Sequence, residues 1–184
     1  MKLVAIAGRK GSGKDTLALA LQKPWGFEVN SPIVAEAFAN GIKYICAEHL
    51  AVPVEILWGT QADKESFTVL GMSVRTLLQR LGTEALRNQI HPMIHCHMLE
   101  QRMARQHSGF EHFVVSDLRF PNEEEWVHSV SGLVVKLTRA PNSDAHLSEA
   151  SVDLVQGDVV VPEGLDAEQT LDFVWPKVKE YLQQ

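Results

Sequence analysis

Residues 2–16, KLVAIAGRKGSGKDT, decide how the rest of the chain is read. The run KLVAIA has the apolar character of a buried strand. It feeds a glycine-rich turn, and the residues after Lys14 read as a helix that stops before Pro24. A strand that delivers glycines to a helix N-terminus makes an anion site. Backbone N–H groups and the helix dipole point at the phosphates, and a lysine reaches the β- and γ-oxygens. Gly8, Gly11 and Gly13 allow the close approach, Lys10 and Ser12 complete the loop, and Lys14 is the lysine. The pattern G-x-x-x-x-G-K-[ST] asks for a hydroxyl where this chain has Asp15, and Thr16 comes one place late.

The chain has 184 residues, a length that suits one domain with a sizeable core. Its net charge of -6 argues against a nucleic-acid-coating protein, although a few local cations suffice for a nucleotide. No apolar run is long enough for a membrane span, and the start of the chain is too quickly interrupted for a secretion signal. Cys46 and Cys96 show no C-x-x-C spacing, so a reduced cytoplasmic setting is the simplest expectation.

Strands are expected over 2–7, 27–30, 112–116, 133–138 and 158–161. Helices are expected over 14–22, 53–57, 63–69, 73–88 and 92–106. Another is expected over 32–49, with Ser31 as cap and Pro32 in its first position. Asn122 with Glu125 has capping-box spacing, as do Asp166 and Gln169 at the start of a helix over 166–181. Pro176 should kink that last helix or end its first part. Strands alternating with helices predict an α/β fold. Its three layers have a mostly parallel five-stranded sheet covered by helices on both faces. Ligands in such sheets sit at the carboxyl ends of the strands.

Three further motifs fit that placement. HFVVSDLRF, residues 112–120, ends a strand in Asp117, the arrangement of a Walker B carboxylate that helps to hold Mg²⁺, with Arg119 next in line. SVRTLLQRLGTEALRNQ, residues 73–89, sets Arg75, Arg80 and Arg87 beside an apolar stripe of Val74, Leu77, Leu78 and Leu81. A helix break at Gly82 would let Arg75 and Arg87 converge on the phosphate of an acceptor, while Arg80 reads as solvated. LTRAPNSDAHLSEA, residues 137–150, is a loop with Arg139 at the carboxyl end of a strand, placed to close over a γ-phosphate. From spacing alone, His146, Ser148 and Glu149 read as ordinary loop hydrogen bonding. HPMIHCH lacks the glutamate of a zinc-binding H-E-x-x-H helix, and Pro92 puts His91 at a helix cap. The acidic run NEEEW, residues 122–126, meets the dipole of the helix it starts.

Together, GRKGSGKDT, SVRTLLQRLGTE, VVSDLRFPNE and RAPNSDAHLSEA resemble the phage deoxynucleoside monophosphate kinase family, in the same order along most of the chain. LWGTQADKE, residues 57–65, is similar to the region between that family's acceptor-side helix and arginine helix. GKDT also resembles the GKGT loop of small nucleotide kinases of the adenylate kinase type. The resemblance implies a single P-loop kinase domain over 1–184, with a helical acceptor-binding region over about 31–106 and a lid-like loop over about 139–151. It implies Mg²⁺-dependent transfer of the ATP γ-phosphate to a deoxynucleoside 5′-monophosphate.

Residue by residue, Lys10, Gly13, Lys14, Asp15 and Thr16 match the family's donor loop, and Gly8, Gly11 and Ser12 complete the ATP-binding set read from the loop itself. The resemblance implies catalytic roles for Lys14, Asp15, Arg119 and Arg139, and metal roles for Thr16 and Asp117. Arg75, Glu84, Arg87, His95, His146 and Glu149 fall on the acceptor side. The implied partners are small nucleotides, with no nucleic acid or membrane, in the cytoplasm (of the host, if a phage encodes the chain); a homodimer is compatible with this. Two departures stand out. His95 lies where the family often has a tryptophan, and the chain is shorter than larger members between Phe67 and Ser73. Other readings are a P-loop kinase for another phosphorylated acceptor, such as dephospho-coenzyme A, and a non-catalytic nucleotide-binding module.

Overall fold

A computed structural model describes residues 1–23, 31–138 and 150–184. The described chain forms two compact units, one of Met1–Ala37 with Met103–Gln184 and one of Phe38–Arg102.

The first unit is built on five strands: β1 (Lys2–Ala7), β2 (Ile33–Glu36), β5 (His112–Leu118), β6 (Leu133–Leu137) and β7 (Val159–Val161). Their order across the sheet is β2-β5-β1-β6-β7, and every pairing is parallel. Alternate residues of the central strands show why both faces must be covered. Val4, Ile6, Val114 and Val135 enter one core with Leu17 and Leu21 of α1 (Lys14–Leu21) and Val174, Val178 and Leu182 of the last helix, α8 (Ala167–Gln183). Their neighbours Leu3, Ala5, Phe113, Val115 and Val134 are just as buried on the other face. Helix α7 (Pro121–Ser129) packs on β6, and Val127 is fully buried.

The predicted helix over 32–49 is corrected. Ile33–Glu36 is the fifth strand of the sheet, and α2 begins only at Asn40 (Asn40–Leu50). The β-branched Ile33 and Val34 pair with β5 from His112 onward, and this ladder outweighs the local Ser31-Pro32 start signal. The strand expected over 27–30 lies outside the described residues.

The second unit holds α2, α3 (Val54–Leu57), α4 (Gln61–Ser66), the strands β3 (Thr68–Val69) and β4 (Met72–Ser73), and α5 (Val74–Gln79). Its core gathers Cys46, Val52, Leu57, Val74 and Leu77. The helix expected over 63–69 is shorter at its end. Thr60 and Asp63 cap it reciprocally, and Phe67 is already extended. Leu70 (φ 52°) and Gly71 (φ 74°) then turn β3 into β4, the double positive-φ turn that suits a tight hairpin.

No break occurs at Gly82: α5 continues as a π-helix over Arg80–Ile90. A side chain at Gly82 would come within 3.0 Å of Ile42 Cδ1, so the glycine permits close packing and does not end the helix. Helix α6 spans Ile94–Gln106, starting two residues later than expected; in the turn before it, His91 Nδ1 accepts the N–H of Met93 at 3.1 Å. In the first unit, α7 opens at Pro121 and not after Asn122, because the cap is supplied by Glu123. Helix α8 has the expected Asp166/Gln169 box and runs through Pro176 without ending.

Candidate active site

The carboxyl end of β1 pairs with both neighbours, Ala7 opposite Leu118 of β5 and Lys136 of β6. The glycine loop therefore emerges between the ends of β5 and β6. Its fit there is tight. A β-carbon on Gly8 would meet Ser12 Oγ at 2.5 Å and the carbonyl oxygen of Leu137 at 3.2 Å. Gly11 and Gly13 hold φ values of 78° and 96°, in the left-handed region that other residues seldom enter. Gly13 hands over directly to α1, its carbonyl accepting the N–H of Leu17 at 2.9 Å.

Lys14 is 7% exposed. Its ammonium donates to the carbonyl of Arg9 within the loop at 2.7 Å. Burial, reinforced by the Arg119 guanidinium, pulls its pKa down to about 8 against the opposing pull of Asp15 and Asp117. Lys14, Asp15, Asp117 and Arg119 are thus one electrostatic group, drawn from α1 and from the end of β5.

Between β1 and β5 the register slips: Ala5 faces Val115, but Ala7 faces Leu118. One extra residue of β5 bulges at Ser116–Asp117, a device that re-aims side chains beside active sites. Ser116 then donates its hydroxyl to Asp15 Oδ1 at 2.9 Å. The segment after the bulge is clamped by the buried Glu123, whose Oε2 accepts the N–H groups of Arg119 (2.9 Å) and Phe120 (3.1 Å). The acidic run 122–126 does more than meet a dipole: Glu123 fixes the loop that bears Arg119.

A cleft open to solvent lies beside the loop, lined by Ser12, Thr16, Thr138, Val161, Pro162 and Leu165 among others. Ser12 is 4% exposed, and its Oγ finds no partner in the described structure. A buried hydroxyl left so is costly. The β7–α8 side of this cleft was not singled out from the sequence, because Val161–Pro162 and Leu165 carry no chemistry of their own; only the fold brings them beside the loop. Arg9 also pairs with Asp153 of the 3₁₀ turn Val152–Leu154.

The acceptor-side candidates Arg75, Glu84, Arg87 and His95 belong to the second unit. Arg75 donates to Gln61 Oε1 (2.9 Å) and Glu65 Oε1 (3.3 Å), both on α4. Arg87 is buried, with Nη1 on the carbonyl of Pro92 at 3.2 Å. His95 is 6% exposed and bonds the carbonyl of Gly82 at 3.0 Å, inside the π-helix. Arg139, His146 and Glu149 lie outside the described residues.

A parallel sheet, a glycine loop at the end of its central strand, a buried lysine at the following helix and an acidic strand end beside it define a P-loop phosphotransferase. The model of the family "Deoxynucleotide monophosphate kinase" matches residues 59–172. A protein of Acanthamoeba polyphaga mimivirus that carries the deoxynucleotide monophosphate kinase name is 30% identical over 175 residues, 88% of each chain. The deoxynucleotide monophosphate kinase of Enterobacteria phage T4 is 26% identical over 113 residues, 60% of this chain and 45% of that enzyme. Among solved structures, a sugar kinase from Janibacter aligns over 99% of this chain and 94% of its own at 15% identity, with a TM-score of 0.46. This chain belongs to the deoxynucleotide monophosphate kinase family.

Proposed function

We propose that the chain transfers the γ-phosphoryl group of ATP to a deoxynucleoside 5′-monophosphate, yielding the diphosphate and ADP. The observation that carries this reading is the buried Lys14 at the glycine loop, electrostatically joined to Asp117 and Arg119 from the end of β5. The loop N–H groups and Lys14 hold the donor phosphates, and the cleft of Ser12, Thr138 and Pro162 receives the donor's base and sugar. Arg75 holds the acceptor's phosphate, with Glu84, Arg87, His95, His146 and Glu149 on the acceptor side; the unbroken helix at Gly82 does not bring Arg87 together with Arg75. Arg119 and Arg139 screen charge as the phosphoryl group moves in line. The acceptor oxygen is already anionic, so positioning and electrostatics replace a strong base.

Asp15, Thr16 and Asp117 offer hard oxygen donors, the chemistry that Mg²⁺ prefers. Among the described residues no three His, Cys, Asp or Glu side chains gather into a metal cage. Asp15, Thr16 and Asp117 would hold Mg²⁺, which would supply charge neutralisation for the phosphoryl group in transfer. No helix among the described residues is long and apolar enough to cross a membrane. The reaction belongs in the cytoplasm, the host's if a phage encodes the chain, and light scattering in solution decides whether the chain works as a homodimer.

The test is purified protein with Mg²⁺-ATP and a panel of ribo- and deoxynucleoside monophosphates, scoring ADP and new diphosphate. Acceptor-dependent diphosphate supports the proposal. Turnover only with dephospho-coenzyme A, or nucleotide binding without any acceptor-dependent ADP release, overturns it. In Arg139→Ala, kcat should fall far more than ATP affinity; equal losses would remove the lid role.

A further inference from the structure

In the ordinary phosphate loop, the residue after the lysine brings a hydroxyl to Mg²⁺, and the facing strand brings a carboxylate. Here the residue after the lysine is the carboxylate, Asp15, and the facing strand presents a hydroxyl, Ser116, bonded to it at 2.9 Å. The bulge that separates Ala5–Val115 from Ala7–Leu118 places Ser116 at this point of contact with α1. Asp117 follows immediately on the same bulge. We infer that Ser116 is a positioning residue for the metal–nucleotide complex: its hydroxyl fixes the Asp15 carboxylate so that the second oxygen faces the donor phosphates and receives Mg²⁺-bound water. The inference rests on the phosphoryl-transfer reading of the same site and deepens it.

The physical case is one of orientation. Asp15 is solvent-exposed at the first turn of α1, where an unrestrained carboxylate samples several rotamers. A hydrogen bond from a residue on a central strand removes that freedom before the nucleotide arrives. Partners that orient a direct metal ligand typically contribute about 10- to 100-fold to metal affinity, and Ser116, one step further out, belongs at the lower end of that range. Ser116 reaches no phosphate in this scheme; it acts only through Asp15.

The experiment reads metal binding separately from nucleotide binding and from turnover. Mn²⁺ affinity of the enzyme–ATP complex is followed by electron paramagnetic resonance, and metal-free ATP affinity by calorimetry. The proteins are wild type, Ser116→Ala, Ser116→Thr, Asp15→Asn and the double variant Ser116→Ala/Asp15→Asn. Ser116→Ala should weaken Mn²⁺ binding about 10-fold, with metal-free ATP affinity unchanged and near wild-type values regained in Ser116→Thr. In the double variant the two effects should not add, because one residue acts through the other. Fully additive effects, or a Ser116→Ala loss shared equally by metal-free ATP, would overturn the pairing while leaving the kinase reading intact. Failure of the wild-type chain to bind ATP at all would overturn the kinase reading itself, and this inference with it.

Discussion

Lys14 turns back on its own loop: the ammonium that should meet a phosphate donates to the carbonyl of Arg9 at 2.7 Å. Its pKa of about 8 is set chiefly by burial, then by Arg119. The unfolded chain titrates this group near 10.5, so between about 8 and 10.5 the unfolded state holds more protons and stability rises with pH. Below pH 8 both states are charged, and the cost of burying the ammonium is carried in full. Lys14→Met should therefore melt a few degrees above wild type at pH 7 while losing turnover, and that gap should close as the pH rises. Arg9 O also accepts from Ser12 N at 3.1 Å, so the variant leaves no carbonyl stranded. Scanning calorimetry across pH 7 to 10 checks the sign; a variant less stable than wild type at pH 7 would refute it.

ATP binding should reverse the depression of Lys14, because polyphosphate stabilises the ammonium. Because the depressed pKa leaves part of the free enzyme neutral at this residue near pH 8, binding should take up protons there, and the uptake should shrink as the pH falls. Titration calorimetry in two buffers of different ionisation enthalpy measures it, and the uptake should vanish in Lys14→Met.

Arg75 is held by Gln61 and Glu65 of α4, so its guanidinium is oriented in advance. Arg75→Ala should raise KM for the monophosphate at least about tenfold, on the scale of a charge-assisted hydrogen bond. Arg75→Lys should recover little, because an ammonium cannot reproduce the planar fork. Steady-state kinetics at saturating ATP distinguishes this from an unchanged KM, which would remove Arg75 from the acceptor site.

Glu124 is 6% exposed, and its carboxylate accepts from Gln156 N (3.0 Å) and Gly157 N (2.7 Å). Glu124→Ala strands two backbone donors and should cost about 2–4 kcal/mol in urea unfolding. Gly157 has φ 77°, and a β-carbon there would come within 2.7 Å of Lys136 Cβ. Gly157→Ala should be destabilising even with Glu124 in place.

Tyr181 fills a gap in the sheet. Its hydroxyl accepts from Leu3 N at 3.0 Å and donates to Ser131 O at 2.9 Å, near the start of β1 where the pairing with β6 begins only at Val4. Tyr181→Phe should lose about 1–3 kcal/mol without touching catalysis, measured by unfolding and turnover on the same preparation.

The glycine loop and its flanking strand were legible because the motif carries its own mechanism, and Asp117 followed from a strand end. The fifth strand was not. Ser31-Pro32 is a sound local start for a helix, and only pairing with β5, about eighty residues away in sequence, makes Ile33–Glu36 extended. Gly82 looked like a breaker, but the helix absorbs it as a π-helix, and His95 bonds the Gly82 carbonyl. The Ser116–Asp15 contact depends on a bulge in the register, which no single-strand pattern reveals.

The strand that carries the phosphate loop is the first to be made, yet it is the centre of the sheet. Both strands beside it, His112–Leu118 and Leu133–Leu137, lie more than a hundred residues downstream. A ribosome-bound chain must therefore complete the whole of Phe38–Arg102 while Lys2–Ala7 stays unpaired on both edges. That interval exposes an apolar strand with open N–H and C=O groups on both sides, a template for association between nascent chains. Chains cut short before Leu118 should be sticky, and synthesis of this protein should depend on whatever shields Lys2–Ala7.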